Sequence, residues 1–489
     1  MQVVIVGRGM AGAMAAAHLA RSLPRRQVAI TIVAAAGAEV DPFGAVEASL
    51  PTVARWNSQF GPGEDELVRQ GCASYSLGTA YTGWSPSGAS SFQPFGEIGS
   101  ALDGIAFHQL AERLRQTGTP VRLADFSVAA MAAQAGRFAR PSPDPRSPLS
   151  LLDYALHIDQ PRYARLLLQA AARQGATLLS TPMRDIERAE NGDVAGLTLS
   201  DGSRLSGDLF IDASGTAALL ASQMPGAGWN SWAHWLPCDR TVEITRRTSV
   251  APAPYAHVVA QAAGWRRIVP GLDRLSETIG FVASEDEPSI AAGPDVERVS
   301  RHAFEQGRRK EGWVGNCVAI GQSAAVLEPT APFGLHLVQS LLDQLVRLFP
   351  ARRSSAVERR EFNRHFAQEA DRARDFVIAR YLLSGKDGAL WERSRAMDAP
   401  AELADRIALF RSRGRLALLD GDALEEGDWA SLFDAQGVRA RRYDAVADAV
   451  PADRLQAQFA RMRQVMIEAI APLPRHGEFL AAIAGKRTA

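Results

Sequence analysis

Lysine is nearly absent from this chain of 489 residues: among 54 basic side chains, only Lys310, Lys386 and Lys486 carry an amine. Genomic base composition ordinarily sets such a bias, yet the chemical consequence stands. A reaction that needs an amine has three candidates, and none precedes residue 310. Cysteine is equally scarce. Cys72, Cys238 and Cys317 lie far apart with no CxxC pair, which argues against a disulfide framework or a structural zinc site and fits a reducing cytoplasm. Net charge is missing as well, since 54 acidic residues balance the 54 basic ones. A broad nucleic-acid-binding surface is therefore not expected. No apolar run approaches about 18 residues and no charged leader precedes one, so neither a signal peptide nor a membrane span is expected. The expected setting is cytoplasmic, with no membrane and no metal.

What is present supports a sizeable core: 46% of residues are hydrophobic, in a length that accommodates two or three domains. The short apolar run Val3 to Val6 predicts a strand buried on both faces of a parallel sheet. Ala13 to Leu23 predicts a helix and Val28 to Val33 a second strand, completing a βαβ unit. Residues 37–100 are rich in Gly, Pro and Ser and predict large loops over a ligand. Helices are expected at Phe107 to Thr117 and Tyr163 to Gly175, and strands at Thr177 to Leu179, Val194 to Leu199 and Asp208 to Asp212. Residues 140–148 form a proline-punctuated loop or linker. Residues 229–310 have the character of an inserted β-rich region. Beyond residue 350, Phe362, Phe366, Ala370, Ala373, Val377 and Tyr381 recur at helical spacing, and further helices are expected at 400–413 and 453–470.

Gly7-x-Gly9-x-x-Gly12 sits between the first predicted strand and helix. The first glycine permits a tight turn, the second lets backbone approach a pyrophosphate, and the third packs helix on strand. The helix amino end, at Met10 and Ala11, adds free N–H groups and dipole. The acidic residue expected on the ribose is absent from the end of the second strand, Ile32-Val33-Ala34-Ala35, leaving Glu39 or Asp41 as substitutes. Two later segments also end a strand in a glycine turn: Asp208 to Asp212 followed by Ala213-Ser214-Gly215, and Asn316 to Gly321 followed by Glu328-Pro329 and Gly334. Three such turns at this spacing resemble the arrangement found in FAD-dependent monooxygenases, which implies that cofactor.

The chain resembles the flavin-dependent tryptophan halogenase family. Gly44-Ala-Val-Glu47-Ala48-Ser-Leu-Pro51 resembles its GVGEATLP, and Trp313 to Gly321 its WVGNCVSIG. Ala73 to Trp84 resembles the stretch around the family's catalytic lysine, Phe92 to Gly96 the aromatic turn that follows, Arg374-Asp375-Phe376 to Tyr381 its RDF…HY helix, and Pro474 to Phe479 its final segment. The likeness spans essentially the whole chain. It implies an α/β protein: a Rossmann-like FAD-binding core over 1–349, a substrate region drawn mainly from about 84–150 and 229–310, and a helical C-terminal region over 350–489. It also implies reduced FAD, supplied by a partner flavin reductase or by NAD(P)H, and an aromatic substrate.

The departures bear on the reaction. Matched against the family pattern, Ala80 falls at the lysine, and EPLESTG becomes Glu328-Pro-Thr-Ala331-Pro-Phe333-Gly334, with Ala331 at the second glutamate. Pro332 removes a backbone donor there. WxWxIP becomes Trp265-Arg-Arg-Ile-Val-Pro270. On this reading halide chemistry is lost and the flavin parts are kept. The expected activity is then hydroxylation of an electron-rich aromatic, indole-like and free or peptide-borne, through a C4a-hydroperoxyflavin. The alternatives are halogenation with rerouted groups, or flavin binding without turnover.

Cofactor contacts are expected from Gly7, Gly9, Met10, Ala11, Gly12, Glu47, Ala48, Asp212, Gly215, Gly321, Gln322, Phe333 and Gly334. Gln322 stands where related hydroxylases place an aspartate. Substrate contacts are expected from His108, Trp84, Phe95 and Trp265. Three further groups read two ways. His157 is a structural hydrogen-bonding residue or a site residue. Trp229, Trp232 and Trp235 form core packing, at a spacing compatible with a helical face, or an aromatic wall. Arg266 and Arg267 are a solvated pair or a carboxylate-binding one.

Overall fold

In the computed structural model the described residues are 1–35, 41–226, 228–284, 287–290, 293–350 and 355–485. Glu39 and Lys486 lie outside them. A six-stranded sheet carries the first predicted strand at its centre. Gln2–Val6 pairs in parallel with Ala29–Val33 on one side and Leu209–Asp212 on the other, and Val3 to Val6 are fully buried, as a strand covered on both faces must be. Thr177–Leu179 and Cys317–Ala319 extend the sheet in parallel, and Trp313–Val314 closes one edge antiparallel.

Register makes the strand ends coincide. Val6 lies opposite Val33 and Asp212, and Asp212 opposite Ala319. The turns at Gly7, Gly215 and Gly321 therefore leave the same edge of the sheet, where open α/β sheets bind ligands. Two glycines are dictated by space. Gly7 has φ +116° and a Cβ there would lie 2.2 Å from Ala213 O, while a Cβ on Gly12 would lie 2.0 Å from Gly7 O.

The remaining strands confirm the β-rich insertion and extend it. A seven-stranded sheet runs Val296–Ala303, Arg240–Arg247, Arg274–Phe281, Gly264–Pro270, Ala256–Gln261, Gly78–Thr82, Ser91–Pro94. Two of its strands come from the 37–100 segment, which is not the set of large loops its composition predicts. That segment also holds helices Pro51–Phe60 and Glu64–Arg69, and strands Val46–Ala48 and Ala73–Ser76, which flank Ala155–Asp159 in a small sheet. Pro51 is compatible with helix because it sits in the first turn, where its missing N–H has no intrahelical partner to lose.

Helix Met10–Ser22 lies against the six-stranded sheet, and helices Gln160–Arg173 and Gly334–Arg347 both pack on it. C-terminally, Ala356–Leu382 opens with a Ser355–Glu358 capping box, and its periodic apolar residues are all buried. Ala401–Arg413 and Ala452–Ile470 follow as their spacing predicts. One cluster of buried side chains reaches from Val3 to Ile483 and joins the sheets to these helices.

Asp212 ends its strand fully buried and accepts five hydrogen bonds: from Ser214 N (3.0 Å) and Oγ (2.6 Å), Leu220 N (2.8 Å), Ala221 N (2.7 Å) and Ser323 Oγ (3.1 Å). It thus ties two of the glycine turns to one carboxylate. Asp212→Ala should lower stability by about 3 kcal/mol, because buried donors lose a charged acceptor. Urea unfolding checks this, and a loss under about 0.5 kcal/mol, within the range of ordinary surface substitutions, would show the anchor to be dispensable.

Candidate functional site

A cavity of about 720 Å³ opens at the shared strand edge. Gly9, Met10 and Ala11 form one wall, Gly215, Gly321 and Gln322 the next, and Pro329 and Gly334 the far end. Helix Met10–Ser22 starts at Gly9 with no side-chain cap and no acid in its first turn. Its first N–H groups are left for an anion. The residues present fit a dinucleotide pyrophosphate.

Of the residues expected at a cofactor, Gly9, Met10, Ala11, Glu47, Gly215, Gly321, Gln322 and Gly334 line this cavity. Gly7, Gly12, Ala48, Asp212 and Phe333 stand behind its wall. For Asp212 this is a correction: both carboxylate oxygens are taken up by the turns, so it shapes the cavity instead of facing it. Phe333 is buried edge-on against Phe376. Asp41 does line the cavity, where it accepts hydrogen bonds from Gln322 Nε2 (3.0 Å), Gln160 Nε2 (2.8 Å) and Phe43 N (2.9 Å).

Two buried carboxyls border the site. Glu47 is clasped by both Arg267 guanidinium nitrogens, Nη1 at 3.2 Å and Nη2 closer still, and Arg267 is buried too. Arg267 is thus no solvated residue; its neighbour Arg266 pairs with Glu277 at 2.7 Å. Burial pushes the Glu47 carboxyl up to about 7, although Arg267 pulls the other way. Glu328 is buried without a cation and accepts from Gln306 Nε2 (2.9 Å), Tyr381 Oη (3.0 Å) and Thr330 Oγ1 (3.1 Å). Burial pushes its carboxyl up to about 7.

A second cavity, about 460 Å³, lies on the other face of the Gly78–Thr82 strand, lined by Ala80, Phe92, Tyr255, Arg122, Asp125, Gln134, Asp434 and Arg439 among others. Strand alternation turns Ala80 toward it and Tyr81 the opposite way, where Tyr81 donates to Thr330 O at 2.6 Å. Ala80 thus lines this second cavity, whereas Ala331 is buried and lines neither cavity. Neither described lysine replaces them: Lys310 is exposed, Lys386 is half-buried beyond Ser384, and neither lines either cavity.

The residues expected at the substrate line neither cavity. Trp84 is buried edge-on to Tyr381 and Trp391, and Trp265 lies over Gly280. Phe95 is buried in the core, and His108 approaches Gly414 O at 3.1 Å. His157 is fully buried in a strand with Nδ1 3.1 Å from Pro270 O, a structural role. The tryptophan trio is not helical. Trp229 lies on strand Trp229–Ser231 and lines a third cavity of about 490 Å³ under Arg309, Trp232 is buried, and Trp235 lies under Arg374.

Sequence reasoning missed the Glu47–Arg267 pair, the Glu328 network and Arg380. Only Arg380 carried a signal: it falls four residues after Phe376, on the apolar face of its helix.

A family model described as tryptophan halogenase matches residues 2–452. The chain is 33% identical to BrvH, a flavin-dependent halogenase from Brevundimonas sp. BAL3, whose solved structure superposes with a TM-score of 0.92 over 99% of each chain. It is 27% identical to the tryptophan 6-halogenase ThaL of Streptomyces albogriseolus, over 89% of this chain and 86% of that one. It is 26% identical to the tryptophan 7-halogenase RebH of Lentzea aerocolonigenes, over 84% and 82%.

The raised Glu328 carboxyl has a thermodynamic consequence. Its ordinary value is 4.5 and its folded value about 7, so folding takes up a proton between those limits. Glu328 should favour the fold below about pH 4.5, and that advantage, up to about 3 kcal/mol, should fade as pH rises through 7. Glu328→Gln should flatten the loss, read from urea midpoints between pH 5 and 8. Parallel wild-type and variant profiles would refute it.

Proposed function

Because the chain belongs to the tryptophan halogenase family, we propose that it is an FAD-dependent oxidoreductase that halogenates an electron-rich, indole-like aromatic ring. The observation that carries this reading is the cavity at the shared strand edge, with its uncapped helix end and three glycine turns. FAD, reduced by a separate flavin reductase and met by oxygen, supplies the oxidising equivalents.

The chain's own groups do the rest. The Met10 and Ala11 N–H groups hold the pyrophosphate, and Gln322 with Asp41 sets the polar wall. The Glu47–Arg267 pair closes one side without leaving an uncompensated charge. The Glu328–Gly334 segment, pinned by Tyr81 and Tyr381, separates the cavity from the helical side of the molecule. The second cavity, with Phe92 and Tyr255 beside charged residues, suits a planar aromatic with polar substituents.

One observation favours a second reading, insertion of oxygen into the same class of ring. No described lysine lines either cavity, so no amine is at hand to direct a halogenating species. Both readings meet one assay. Purified protein should bind FAD on titration. With reduced FAD and oxygen it should convert an indole, a phenol or a peptide-borne tryptophan to a brominated product only when bromide is present. A product one oxygen heavier and indifferent to bromide would shift the assignment to hydroxylation. Oxygen consumed solely to peroxide with every substrate would remove both.

A further inference from the structure

We propose that the chain grips an acidic peptide segment in an arginine-lined hollow beside the second cavity, with Arg395, Arg411 and Arg441 as the contacts for its carboxylates.

The hollow has a volume of about 490 Å³, and its lining carries these three arginines and no acidic residue. The chain as a whole has zero formal charge, so this segregation of cations is local. In the second cavity each arginine has an aspartate, Arg122 with Asp125 at 2.7 Å and Arg439 with Asp434 at 3.0 Å. Arg395, Arg411 and Arg441 are exposed and have no carboxylate within 4.0 Å among the described residues. The fold nevertheless places them. Arg395 donates from Nη1 to Ser384 O (3.1 Å) and Lys386 O (2.6 Å), which fixes the guanidinium without neutralising it. Arg441 N donates to Arg411 O at 2.7 Å, so the backbone holds two like charges next to each other. A bound anion relieves their repulsion.

The shape of the hollow selects the kind of anion. Helix Ala401–Arg413 contributes Ala404, Ile407, Ala408 and Arg411, at i, i+3, i+4 and i+7 and so on one face. With Leu382 and Leu383 this face makes an apolar floor below the cations. A small inorganic anion makes no use of such a floor. A peptide lays an apolar side chain on it while neighbouring acids meet the arginines. The segment from Gly437 to Arg441 links the hollow to the second cavity: Val438 and Ala440 are buried, whereas Gly437 and Arg439 line the cavity and Arg441 the hollow. A ligand lying along that segment reaches both. Because the arginines of the second cavity are already paired, carboxylates on such a ligand find their partners in the hollow. That the peptide's aromatic ring is also the substrate rests on the function proposed above; its binding does not.

The test of binding uses the protein alone, without flavin. A fluorescein-labelled synthetic peptide with one tryptophan followed by a run of glutamates should bind at low ionic strength, read by anisotropy. It should bind about tenfold or more tighter than its glutamine counterpart, and the difference should shrink as salt rises. Arg411→Gln combined with Arg441→Gln should erase that preference, while Arg188→Gln, on the separate sheet that holds Met183–Arg188, should leave it intact. Equal affinity of the unaltered protein for both peptides, or a preference that survives in the folded double variant, would overturn the site. So would inorganic triphosphate binding through these arginines while the glutamate peptide does not bind. A peptide held by these arginines that returns unmodified from the turnover assay would count against the proposed function and leave this site standing.

Discussion

The parallel register of four strands is the constraint on which the rest of the molecule depends. Because Gln2–Val6, Ala29–Val33, Leu209–Asp212 and Cys317–Ala319 run in one direction and end together, turns separated by some three hundred residues meet at one edge. Two of these turns pass through glycines, Gly7 and Gly321, where a side chain would collide with a neighbouring strand end or helix. Backbone makes much of the resulting wall, and the uncapped start of a helix adds positive character beside the arginines Arg8, Arg165 and Arg298 that also line the cavity. The near absence of lysine therefore costs the nucleotide end of the site nothing.

Charge burial is managed differently at each carboxylate. Asp212 is held by five donors and no cation, Glu47 by one arginine, and Glu328 by three neutral donors whose help does not offset burial. At Glu47 and Glu328 alike burial outweighs the partners and raises the carboxyl to about 7. Arg380 is the cationic counterpart of Glu328, buried with a neutral partner, but a guanidinium cannot escape by losing its charge.

Much of the fold was legible in particular stretches. Val3 to Val6 reads as a doubly buried strand because every residue is apolar, and Phe362 to Tyr381 as a helix because its apolar spacing is 3.6. The 37–100 segment misled because glycine, proline and serine also populate first turns of helices and edges of strands: Pro51 opens a helix and Gly78 a strand. The tryptophan trio misled for a related reason, since spacing of three has no meaning where a short strand passes directly into a turn.

By itself the sequence determined the α/β architecture, the dinucleotide turn and the family, because these rest on local patterns of glycine, apolar runs and contiguous motifs. Only the tertiary structure decided which way each residue faces. Asp212 turns into its own loop, Ala80 and Tyr81 diverge because adjacent strand residues point to opposite faces, and Arg267 finds Glu47 across 220 residues of chain. Pairings of that kind depend on through-space distance and burial, quantities that no spacing along a chain encodes.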